Sequence, residues 1–244
     1  MLRSKMILMA GAFAVALAGP TSAAFREEAP LPPPRPADLA PSATPTPAAS
    51  PPSLKAPEKA DQTCLTKLIA SGAGAEAATV QQPIEGCGIS SPVRLDSIAL
   101  ANGDVVGLPD GPILECAFAL VFADFVRAIV APLGAGTVGA RVDSIETGPG
   151  YQCRNRNGLP DGKISAHAKG LAIDIFAIRF ADKRRVALAH QDGANEASYV
   201  RATRAAACGW FTTVLGPGAD LFHANHMHLD IESHGSNGSY RICQ

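Results

Sequence analysis

Six cysteines, Cys64, Cys87, Cys116, Cys153, Cys208 and Cys243, are spread through the last three quarters of this chain and are missing from its start. An even count with no C-x-x-C pair argues against a thiolate zinc site and for three disulfides made in an oxidising compartment. Six cysteines allow fifteen pairings. The sequential set, Cys64 with Cys87, Cys116 with Cys153 and Cys208 with Cys243, is the expectation, although loop-closure entropy separates it from the others by little.

The region before the cysteines reads as targeting and tether. Arg3 and Lys5 precede an apolar run over residues 6–18, and Thr21-Ser22-Ala23 offers small residues for cleavage, so residues 1–24 read as a secretory signal peptide. That run falls short of the roughly 20 residues a membrane span needs. No later stretch is expected to serve, which leaves no transmembrane segment after cleavage. Residues 25–59 are rich in Pro, Ala, Ser and Thr, with Pro32-Pro33-Pro34 and Pro45-Thr46-Pro47. Such a composition buries too little surface to fold and gives an extended, polyproline-rich linker. Residues 60–244 are then one domain with a real core, a monomer located in the periplasm or cell envelope.

A formal charge of -1 offers no footprint for nucleic acid. The dense positive group Arg179, Lys183, Arg184 and Arg185 reads as a solvated face or the rim of a substrate groove. The clearest helix spans residues 113–131, with Asp110 as its cap, Pro112 and Glu115 near its first turn, and Pro132 and Gly134 beyond its end. Further helices are expected over 196–207 and 64–69. Strands are expected over 139–146, 170–178 and 226–231. The mixture predicts an α+β domain.

Two segments carry the chemistry. In an extended 171–175, Ile173 and Ile175 face one way while Ala172 and Asp174 face the other, which lifts Asp174 toward a groove. The same alternation puts His226 and His228 on one face, with Met227 and Leu229 opposite. His167 lies seven residues before Asp174, about 23 Å away if extended, so the chain must turn back between them, and Lys169-Gly170 supplies the bend. His167, Asp174 and His228 are then three donors of the type that hold catalytic zinc, Zn2+, with one position left for water.

The pattern Ser165-x-His167-x-x-Gly170-x-Ala172-x-Asp174, followed by His226-x-His228, resembles the zinc signature of D-alanyl-D-alanine metallopeptidases and lysostaphin-type enzymes. Tyr151-x-Cys153-Arg154, Cys208-Gly209-Trp210-Phe211 and Phe222-His223-x-x-His226-x-His228-Leu229-Asp230 make the likeness closer to bacterial extensin-like C-terminal domains. The resemblance implies a compact α+β fold with a small antiparallel sheet carrying the metal, and peptidoglycan peptides as substrate. By it, His167, Asp174 and His228 are the metal ligands, and His226 manages a proton. Arg154 is a catalytic and substrate-binding partner to the scissile carbonyl or a carboxylate, with Tyr151 beside it and Arg156 as runner-up. Ser165 steadies the loop, and Asp230 orients His228. His223 reads as a surface or loop-packing residue, with a place in the groove as the alternative, while His190 and His234 read as exposed.

Two positions depart from the related enzymes. Asn225 stands where the dipeptidase branch has a catalytic glutamate, and Ala166 where an acidic residue often sits. The implied function is a zinc-dependent peptidase, a D,D-carboxypeptidase or endopeptidase acting on stem or cross-link peptides. The alternative is a non-catalytic wall-binding or scaffold domain that keeps a structural metal.

Overall fold

Apolar alternation builds the sheet that positions every other element. The computed structural model describes residues 62–82 and 84–244, so the expected signal peptide and the expected linker lie outside the described residues. Among the described residues, ten strands form one sheet: β1 (Ala73–Ala77), β2 (Pro92–Ala99), β3 (Val105–Gly107), β4 (Ile113–Glu115), β5 (Val142–Thr147), β6 (Ala172–Phe180), β7 (Arg185–Ala187), β8 (Thr213–Leu215), β9 (Met227–Asp230) and β10 (Ile242–Cys243). Their order is β1-β2-β3-β5-β6-β9-β8-β10, with β4 paired to β2 and β7 to β6.

The expected small antiparallel sheet is therefore larger and mixed, because β3 pairs β5 and β10 pairs β8 in parallel. The strands nearest the candidate site, β5, β6, β9 and β8, are antiparallel neighbours.

β6 is the central strand. Ile173 and Ile175 point into the core, as do Ile178 and Phe180 further on. The change of parity comes from a bulge: Thr147 pairs Ile175 while Glu146 pairs Ala177, which leaves Phe176 as the extra residue. Period-two reading thus holds from Ile173 to Ile175 and fails beyond. On β9, Met227 and Leu229 enter the same core, which sends His228 to the opposite face.

Among the described residues, three helices cover the core face: α1 (Gln62–Ala70), α2 (Cys116–Val138) and α3 (Ala194–Ala207). Phe118, Phe122 and Phe125 of α2 are fully buried, each stabilising the fold by about 1.5–3 kcal/mol. Phe125 meets Phe211 edge-on with ring centres 5.1 Å apart, and Tyr199 of α3 donates its hydroxyl proton to the Val130 carbonyl at 3.2 Å.

The expected 113–131 helix is displaced in both directions. Residues 113–115 are strand β4, paired with Pro92–Arg94. Glu115 makes no side-chain cap; its carboxylate instead accepts from the Ser90 and Ser91 N–H groups. Asp110 accepts from Thr147 N–H. At the other end the helix passes Pro132 and stops where Gly139 turns left-handed. Proline normally ends a helix by losing an i→i−4 bond and crowding the preceding turn, but wide π turns flank it at Val126–Val130 and Gly134–Val138 and loosen that crowding. Prolonged in this way, α2 becomes long and apolar enough to cross a membrane by length and composition, contrary to the expectation from sequence. Its packing against the sheet and α3 accounts for that apolarity.

The disulfides are Cys64–Cys116, Cys87–Cys153 and Cys208–Cys243. The last matches expectation and the first two do not. Doubling a loop costs only about 0.6 kcal/mol, so the sheet decides: β2 pairing with β4 carries Cys116 to α1, and the 84–91 loop packs on the segment before β6, where Gly88 N–H donates to Ala168 O. Cys87–Cys153 closes 66 residues. Replacing both cysteines by alanine should lower stability by about 2–4 kcal/mol, read as a lower urea midpoint with a steeper slope, because the unfolded chain without the cross-link exposes more surface.

The arginines of the positive group are paired locally. Arg179 and Arg185 both pair with Glu146, and Arg184 pairs with Asp182 and Glu196.

Candidate metal centre

His167 arrives on a short 3-10 turn, Ala166–Lys169, between two glycines whose backbones require their residue type. Gly170 has φ +67° and ends the turn, and a Cβ there would sit 2.7 Å from Glu115 N. The chain reverses at that point and enters β6, bringing His167 back to Asp174. Gly150, φ +75°, lies so close to Ile113 O that no side chain fits, and its carbonyl is thereby aimed at His167. Ser165 accepts from His167 N–H at 3.3 Å, steadying the turn.

Asp174 and His228 are cross-strand partners on β6 and β9. The three side chains are buried, and one donor atom from each lies within 4.8 Å of the others. His167 Nε2 is 3.1 Å from His228 Nδ1 and 3.3 Å from Asp174 Oδ1, and His228 Nδ1 is 3.0 Å from Asp174 Oδ1. The seven-residue sequence separation of His167 and Asp174 is thus closed to a contact.

The protons of the two rings are committed elsewhere. Gly150 O can only accept, so His167 carries its proton on Nδ1, donated at 2.7 Å. Asp230 Oδ2 accepts a hydrogen bond from His228 Nε2–H at 3.0 Å. Two imidazole lone pairs and a carboxylate therefore face one point, an arrangement that is repulsive until a positive charge sits among them. A proton serves in part. Burial alone would push the His228 pKa down, but hydrogen bonds to Asp174 and Asp230 raise it to about 9. Burial likewise works against the Asp174 carboxylate, and hydrogen bonds with His167 and His228 outweigh it, holding the group far below the usual range. A metal cation meets the same demand with three bonds, and the residues fit one: two imidazoles with outer N–H groups anchored, plus a carboxylate.

The group lies in a cavity of about 460 Å³ that is also lined by Arg154, His223, His226, Phe222 and His234. His226 donates from Nδ1 to Asn225 Oδ1 at 2.8 Å and turns Nε2 toward Asp174 Oδ1 at 3.4 Å, with its ring against Phe176, the bulge residue. Burial pushes its pKa down; Asp174 opposes this, and His223, His228 and His167 add to it. The ring is thus kept neutral near pH 7. Arg154 lines the cavity and hydrogen-bonds Gln152 Oε1 and Asn155 O. It has no acidic partner among the described residues. Arg156 is paired with Glu232, which Lys169 also holds.

The other residues singled out in the sequence lie in the cavity wall or away from it. Tyr151 sits outside the cavity lining, its hydroxyl donating to Gln81 O at 2.6 Å. His223 is buried in the cavity wall, its Nδ1 2.8 Å from Asp220 Oδ1. His234, expected to be exposed, is half-buried, with Nε2 2.6 Å from Thr213 Oγ1. His190 is exposed, beside Asp192. Asp220 was missed by the sequence reading, although its signal was there: an aspartate three residues before His223 accepts from the Phe222 and His223 N–H groups and from the ring, as an Asx turn does.

A family model described as Extensin-like protein C-terminus matches residues 62–244. No curated protein and no solved structure matches the chain.

Proposed function

The chain belongs to the extensin-like C-terminal family, and we propose that its domain is a zinc-dependent peptidase of the cell envelope that cuts an amide bond in peptidoglycan stem or cross-link peptides. One observation carries this reading: two histidines whose protons are fixed on their outer nitrogens converge with a buried carboxylate on the wall of an open cavity. Two imidazoles and a carboxylate suit zinc better than the harder cations, which prefer all-oxygen sites. When bound, zinc supplies Lewis-acid activation of water and of the scissile carbonyl.

The chain's own groups do the rest. His226 Nε2, neutral and outside the three-ligand group, takes the proton from the attacking water and returns it to the amine as the C–N bond breaks. Arg154 is free of any carboxylate among the described residues, so its guanidinium is available for the substrate's carbonyl oxygen or terminal carboxylate. Cys87–Cys153 holds the neighbouring residue and limits where that guanidinium reaches. The three disulfides agree with an extracytoplasmic location.

Incubating the purified protein with defined cross-linked muropeptides should release new termini in the presence of zinc and none above background with a chelator. His226→Ala should retain zinc and lose at least about a hundredfold in rate, the usual scale for a positioned acid–base group. Asn225, where a glutamate base stands in the dipeptidase branch, favours a second reading as a wall-binding domain with a structural metal. Under it the digest yields no product, while zinc is still bound and sedimented peptidoglycan retains the protein.

A further inference from the structure

The cavity at the candidate metal centre carries a carboxylate with one oxygen to spare, opposite in sign to Arg154. Asp220 lines it from the segment between β8 and β9. Its Oδ1 accepts from Phe222 N–H at 2.8 Å, from His223 N–H at 3.0 Å and from His223 Nδ1 at 2.8 Å. Oδ2 makes no hydrogen bond or ion pair among the described residues, and the side chain is 41% exposed. Burial opposes the charge, but the hydrogen bonds from His223 outweigh it and hold the carboxyl below its usual range. The turn thus fixes this carboxylate by one oxygen and leaves the other for a ligand. Asp174 and Asp230, the other acids in the lining, both face His228.

Arg154 and Asp220 stand on segments that reach the centre from different directions. Arg154 lies on the segment that enters β6 at Ala172, and Asp220 on the one that enters β9 at Met227. Ala172 pairs with Asp230 and Ile175 with Met227, so the Asp174–His228 pair lies between the two points of entry. Arg154 hydrogen-bonds Gln152 and Asn155 rather than Asp220. Each charge is therefore left for something that enters the cavity. Phe222 also lines it and is 51% exposed, an apolar face suited to the methylene groups behind an ammonium and to the cation itself.

Resting on the peptide-cleaving reading above, we infer that Asp220 is a specificity-determining residue that binds a free ammonium group of the substrate, such as a diamino-acid residue carries. The peptide then lies across the metal centre, with a carboxylate or carbonyl at Arg154 and the ammonium at Asp220 Oδ2. A charge-assisted hydrogen bond supplies the preference, and partial exposure keeps it moderate.

The test compares one stem muropeptide containing a diamino acid, with its amino group free or acetylated. Affinity is read by calorimetry on the full-length, zinc-loaded His226→Ala chain, and cleavage on the parent. The free peptide should bind about 5–20-fold more tightly than the acetylated one. Asp220→Asn keeps an acceptor for the three donors at Oδ1 and replaces Oδ2 by an N–H group, so it should narrow that difference to less than about twofold. If chelated melts show that asparagine disturbs the loop, Asp220→Ser, which retains a turn acceptor, takes its place. Equal affinity for the two peptides, or a preference that survives the Asp220 variants, would overturn the inference, and the peptidase reading stands if the parent still releases new termini. A preference lost with Asp220 in a chain that cuts neither peptide upholds the ammonium site and overturns the peptidase. Binding of neither peptide overturns both.

Discussion

His228→Ala should strip the domain of zinc and weaken its fold in the same step. The imidazole is one of three protein ligands, and structural zinc sites contribute about 10–16 kcal/mol in total, so losing one ligand should reduce affinity by about a thousandfold or more. Metal-dependent release of muropeptide termini should disappear with it. The fold suffers for a separate reason. His228 lies between Asp174 and Asp230, both buried, and alanine leaves those carboxylates without the cation they face. Removing one partner of a buried ion pair costs about 3–5 kcal/mol, which for a domain of this size lowers the melting temperature by on the order of 10 °C. Zinc content after gel filtration and a chelated thermal melt measure the two effects independently. A variant that keeps stoichiometric zinc would exclude His228 as a ligand.

Asp174 and His228 were legible in the sequence because strand alternation is a local property: Ile173 and Ile175 on one side commit Asp174 to the other, and Met227 and Leu229 do the same for His228. The return of His167 to that pair was legible from Gly170, whose left-handed backbone makes the bend. What escaped depends on contacts remote in sequence. The pairing of β2 with β4 sets Cys64–Cys116, and no local pattern announces it. The passage of α2 through Pro132 depends on π turns that only the packed helix displays. His234 lacks a motif and reaches the site because β10 runs back beside β8. Asp174 and His228 sit on strands whose pattern is periodic, whereas the Gly150 carbonyl that orients His167 comes from a loop placed by the whole sheet.

Zinc affinity should rise steeply with pH, by at least about tenfold per unit between pH 5 and 8. In the metal-free domain burial opposes protonation of His228, but the hydrogen bonds to Asp174 and Asp230 prevail and raise its pKa to about 9. A zinc ion must displace that proton, because a metal-bound imidazole is neutral. Below pH 9 each zinc bound therefore releases at least one proton, and the affinity gained across pH 5–8 is on the order of a thousandfold. The metal-free fold should respond in the opposite sense on the alkaline side. A raised histidine pKa adds stability that is complete below about pH 6.5 and is lost as pH climbs through 9, whereas the depressed Asp174 adds stability that is present above about pH 4 and is lost in acid. Chelated melts should accordingly fall off at both ends of that window, and the extra stability conferred by zinc should grow toward pH 8. Calorimetric titration with zinc in buffers of different ionisation enthalpy counts the protons directly. A count of zero, with affinity flat from pH 5 to 8, would mean that the cation binds somewhere other than at His228, since no ion can share the Nδ1 lone pair with the proton that occupies it.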